Sequence, residues 1–120
     1  MSSVVKQLET ELATKFPDIN VTATEAPLGD VRKPTLLIRR KTVDVFPDAP
    51  LSHRNVGVLL TLISPYLDLD EAAAQLDEQV LPVLDWLDTR YLHEPASLVG
   101  WNGNRLAYDI PATITAQKES

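Results

Sequence analysis

The groups that could do chemistry in this chain are few and poorly spaced for it. His53 and His93 are the only histidines. Neither belongs to a helical metal pattern such as H-E-x-x-H, which needs two imidazoles one turn apart. Ser52 and His53 are neighbours in sequence, which does not present a hydroxyl to a base steadied by a third group. Asp68-Leu69-Asp70-Glu71 begins like a calcium loop, but the glycine and closing glutamate at the required offsets are missing. Helix capping explains that run better. Asp77 with Glu78, and Asp85 with Asp88, read as ordinary solvated acids on a helix flank. Gly29, Gly57, Gly100 and Gly103 are too scattered to cradle a phosphate. The chain has no cysteine, which removes disulfides, thiolate nucleophiles and cysteine metal sites. No catalytic residue, cofactor or metal ligand is assigned, and the reading points away from an enzyme.

Composition frames what remains. A chain of 120 residues with 44% hydrophobic content fits one globular domain over 1–120 with a real core. No apolar run approaches the ~20 residues of a membrane span, and the charged N-terminus does not read as a signal peptide. The net charge of −6 argues against general nucleic-acid binding. Charge sign is unevenly spread. Six of the eleven basic residues (Arg32, Lys33, Arg39, Arg40, Lys41, Arg54) lie between Arg32 and Arg54, whereas seven acids lie between Asp70 and Glu94 against Arg90 alone. Two solvated faces explain this blandly. A subunit with one basic and one acidic face, suited to head-to-tail contact, explains it more sharply.

The elements that would carry these charges read as an α+β domain. The expected architecture is a mixed, mainly antiparallel sheet of about four or five strands, with an N-terminal helix and one long helix packed on it. Val5, Leu8, Leu12 and Phe16 form an apolar stripe, with Ser2 or Ser3 as cap and Pro17 as stop. Residues 19–24 and 35–46 read as strands, the second with a wet end at Arg39-Arg40-Lys41. Val56 to Ser64 is apolar on both faces and is expected at the sheet centre with both faces covered. Asp70 is the expected cap of the long helix, whose stripe is Ala73, Leu76, Val80, Val83, Leu84, Leu87 and Tyr91, with Pro82 on the opposite side. The segment LHEPASL reads as a loop. Asn102-Gly103 suits a type I′ hairpin turn. The last strand, Arg105 to Gln117, turns Leu106, Tyr108, Ile110, Ala112 and Ile114 inward, and Pro111 points to an edge or a bulge. Trp86 is expected beside the helix stripe and Trp101 next to the turn, half-buried positions typical of contact anchors.

Across nearly its whole length the chain resembles tail terminator proteins of long non-contractile-tailed bacteriophages, those of actinobacteria in particular. The resemblance is carried by VGVLLTLISPYLDLDEAAAQLDEQVLPVLDWL and by YLHEPASLVGWNGNRLAYDIPATITA with its Tyr108-Asp109 pair. It implies a structural virion protein at the head-proximal end of the tail, made in the bacterial cytoplasm. Its partners would be copies of itself in a hexameric ring, the tail tube protein and the head-tail connector. DNA would pass through the lumen unread, and no membrane or cofactor would be involved. Such a ring caps the tube and stops its growth. Two alternatives stay open: another phage neck component, such as a head-completion or tail-completion protein, and a small regulatory or ligand-binding α+β domain.

For a ring, candidate contacts come from the charge pattern and the rigid loop. Phe46, Asp48, Leu51 and Arg54 lie on a proline-flanked loop suited to a neighbouring subunit. Arg39, Arg40 and Lys41 would meet a neighbour's acidic helix face at Asp77, Asp85 and Asp88, and Trp101 would anchor the contact.

Overall fold

Two long antiparallel pairings organise the computed structural model, which describes residues 4–24, 31–44, 53–101 and 105–117. At residues 4, 40–44, 53–55 and 115–117 only the backbone is described. The elements run α1 (Val4–Lys15), β1 (Asn20–Ala23), β2 (Thr35–Asp44), β3 (His53–Ile63), α2 (Leu69–Asp88), β4 (Leu92–His93), β5 (Ser97–Trp101) and β6 (Arg105–Gln117). The sheet order is β1-β2-β3-β6-β4, with β5 also on β6. β1 pairs parallel to β2, and every other pairing is antiparallel. The α+β class with a mixed, mostly antiparallel sheet and two helices is therefore as expected, with six strands rather than four or five.

Period-two alternation sorts the sheet residues between a helix-covered face and an open one. Leu36 and Ile38 of β2, Val56, Val58, Leu60 and Leu62 of β3, and Ile110, Ala112 and Ile114 of β6 join Val5, Leu8 and Leu12 of α1 in one buried cluster. Leu76, Val80, Val83 and Leu87 close it from α2. β3 lies centrally, between β2 and β6. Its other face is only partly covered: Ile63 is buried with Val31, Leu37 and Ala107 in a second small cluster, whereas Leu59 remains half-exposed. The expectation that both faces are covered holds at one end of the strand only. The helices among the described residues lie on a single face, so no helix covers Leu59.

α2 is a single helix through Pro82, and Pro82 is exposed, as its position opposite the stripe requires. Its cap is Asp68, not Asp70. Asp68 has extended backbone (φ −71°, ψ 123°) and its carboxylate accepts from the Glu71 N–H at 3.0 Å, while Asp70 sits in the first turn, where the helix dipole favours an acid. The buried stripe is Ala72, Leu76, Val80, Val83, Trp86 and Leu87. Ala72 and Trp86 thus replace Ala73 and Leu84, which are half-buried. Trp86 is drawn inward because the Tyr91 ring packs at 5.9 Å and the Arg90 guanidinium covers it at 5.0 Å. The Ser-Pro-Tyr break is built on buried Ser64, whose N–H donates to the Leu106 carbonyl and whose Oγ accepts from the Tyr66 N–H at 3.2 Å.

β6 pairs on both sides, so Pro111 is on neither an edge strand nor a bulge. The register with β3 runs unbroken through Leu59↔Pro111. The Pro111 carbonyl accepts from the Glu94 N–H at 2.9 Å. A residue's N–H and C=O point to the same side of a strand, so the missing donor faces the interruption between β4 and β5. The expected LHEPASL loop supplies β4 and the start of β5. The Asn102-Gly103 turn, the Ser2 or Ser3 cap and the loop bearing Phe46, Asp48 and Leu51 lie outside the described residues.

Candidate subunit-contact surface

Arg39 follows Ile38 in β2, so it projects from the open face beside Leu37. Trp101, at the end of β5, comes over the same face and its ring centroid lies 5.6 Å from the Arg39 guanidinium. A cation placed over an aromatic ring is attracted to it, which offsets part of its desolvation. That attraction does not provide an acceptor. The Nε–H of Arg39 and the Nε1–H of Trp101 are both buried without a hydrogen-bond partner. An unmet buried donor costs on the order of 1–3 kcal/mol. No carboxylate is paired with Arg39 among the described residues.

Beyond Arg39 the open face is apolar and partly wet. Leu59 pairs across to Pro111 and both are half-exposed. Leu92, opposite Thr113, is 80% exposed. Gly57, Leu92, Pro111 and Thr113 help line a shallow depression of about 340 Å³. Nearer the core, buried Thr61 donates to Asp109 Oδ1 at 2.8 Å, which satisfies the one acid on this face of β6.

The expected acidic residues lie on the other side of the molecule, along the solvent flank of α2, and they are not equivalent. Asp77 accepts from the Tyr108 hydroxyl at 2.8 Å, a bond that raises the Tyr108 pKa above its ordinary value. Asp88 Oδ1 lies 2.5 Å from His93 Nε2. Asp85 points to solvent. Residues 78, 81, 82 and 85 share one stripe at helical spacing, and Glu78, Leu81, Pro82 and Asp85 are all exposed, Leu81 by 60%. Charge counting alone missed Glu78 and Leu81, although the three-and-four spacing from Asp85 holds the signal that finds them.

His93 is held at both ring nitrogens. Nδ1 faces the Glu94 carbonyl at 2.9 Å while Nε2 faces the Asp88 carboxylate. Both partners only accept, so the two contacts favour the imidazolium form, in which both ring nitrogens donate. The Glu94 carbonyl first and Asp88 next raise the His93 pKa above 6.5, against a lowering by burial. The His53 side chain lies outside the description.

Of the expected contact residues, the structure brings together Arg39 and Trp101. Arg40 and Thr42 flank a register irregularity in the β2–β3 pairing, which skips Lys41, and Arg54 pairs with Ala116 at the far end of β3. Their side chains, and all of Phe46, Asp48 and Leu51, are outside the description. Asp77, Asp85 and Asp88 share α2 but split into two acids held by their own chain and one free to meet a partner. No family model matches the chain, and no curated protein matches it.

Proposed function

We propose that this protein is a structural subunit of a phage tail, a tail terminator that assembles as a ring. It caps the tube, ends its polymerisation and offers the surface on which the head connector docks, with DNA passing through the lumen. The resemblance of residues 56–87 and 91–116 suggests the family. One observation on the molecule carries the assembly reading: Arg39, a half-buried cation without a counter-charge among the described residues, sits on the sheet face turned away from the acidic flank of α2. Opposite charges on opposite faces cannot pair within one protomer. They can pair between protomers related head to tail, and such contacts close into rings when the rotation permits. On this reading the protein acts by contact and needs no cofactor.

Electron microscopy of lysates from a phage lacking this gene tests the proposal. Overgrown, unattached tails of irregular length beside filled heads are the expected result. Tails of normal length that fail to join heads would assign the protein to another neck component. Intact infectious particles would overturn the reading.

A further inference from the structure

We infer that the open sheet face around Arg39 receives the outer stripe of α2 from a second copy of this chain, with Leu81 and Pro82 seated on Leu59 and Pro111 and Asp85 facing the Arg39 guanidinium. The inference rests on the ring reading above and adds the residues that make the contact. Three observations carry it. Arg39 is pre-positioned by Trp101 and has no acid of its own among the described residues. The face beside it is apolar and incompletely covered at Leu59 and Pro111. The α2 stripe is its complement in both respects, an exposed apolar pair bracketed by Glu78 and Asp85.

Two of the alternative acids are already engaged. Asp77 is taken by Tyr108 and Asp88 by His93. A partner's Arg39 would have to displace a short intramolecular bond to reach either, whereas Asp85 meets it without loss. The contact is heterologous, since the two surfaces differ and lie on opposite sides of the domain. A mobile surface lysine would not carry the same argument, because a stacked guanidinium surrenders less freedom on pairing.

The absence of cysteine from the chain permits a direct test in the full-length protein. A chain carrying both Leu59→Cys and Leu81→Cys is expected to give a ladder of disulfide-linked multimers on mild oxidation. Mixed single-cysteine chains should give dimers only. Independently, Arg39→Glu and Asp85→Arg should each lower the assembled fraction at least tenfold by native mass spectrometry, and the double variant should restore it. Thermal unfolding of each variant checks that the fold survives. If the unsubstituted protein assembles while the ladder is absent and both reversals are silent, this contact is wrong and the ring reading stands. A chain that remains monomeric in solution and at tail tips overturns both.

Discussion

Replacing Leu60 and Leu59, neighbours on one strand, by alanine separates the two faces of the sheet energetically. Leu60 is fully buried, and its register partners Ile38 and Ile110 are fully buried as well. Leu60→Ala removes three carbons, worth about 2.4 kcal/mol at ~0.8 kcal/mol per buried methylene. The enclosed space it leaves adds a cavity contribution, bringing the expected loss to about 3–5 kcal/mol. Leu59 faces the open side and is half-exposed. Its truncation encloses no void and loses only the buried share of that transfer free energy, so roughly 1–2 kcal/mol is expected for the monomer. Urea unfolding of dilute protein measures both losses. Trp86 under α2 and Trp101 over the open face report from opposite sides of the sheet. Coincident transitions at both would support two-state treatment. Equal losses at the two positions would refute the one-sided layering and restore a sheet covered on both faces.

Other expected outcomes follow from single contacts. His93 is tied to Asp88 and Glu94 with its folded pKa above the ordinary 6.5. The α2–β4 junction therefore contributes stability that is complete below about pH 6.5 and fades as pH rises through the folded value; pH-dependent unfolding of the protein against His93→Gln should show that difference vanish at alkaline pH. Asp68→Ala removes the N-cap of α2 and should cost about 1 kcal/mol in urea unfolding, whereas Asp70→Ala should cost less. Thr61→Val keeps the shape but withdraws the donor to half-buried Asp109, and a loss of roughly 1–3 kcal/mol is expected by the same assay. Pro82→Ala restores an N–H to the interior of α2 and should raise monomer stability by roughly 1–3 kcal/mol in thermal unfolding.

The elements most legible in the sequence were those whose pattern is local. β6 was readable from Arg105 to Gln117 because five apolar residues alternate without interruption, and α2 was readable because its stripe persists over five turns. Pro111 misled because a missing donor constrains only the side it faces, and that side is set by where β4 and β5 happen to stop. β4 left no pattern, since two residues become a strand only by pairing with Ala112 and Thr113 some twenty residues away. Asp68 and Asp70 are both good caps by type, and the choice between them rests on which has extended backbone. At the candidate surface the sign asymmetry was visible, but the pairings that neutralise Asp77 and Asp88 were not. Tyr108 is 31 residues from Asp77, and the Arg39–Trp101 stack joins strands from opposite ends of the fold.

Those pairings change what the charge pattern means. Read as a list, the acids of α2 form a uniformly negative flank that any cation could approach. With Tyr108 and His93 holding two of them, the outward surface narrows to Glu78 and Asp85 around an exposed leucine and proline. Proline inside a helix costs about 3 kcal/mol against alanine, and on a purely solvated flank nothing offsets that cost. A flank that packs against another surface supplies an offset, because a rigid ring presents apolar area with no side-chain freedom to lose. The same residue that weakens α2 in the isolated chain is thus suited to a buried contact. Its place beside Leu81, and opposite the stripe that faces the core, is the physical reason to read this flank as a surface that meets a partner.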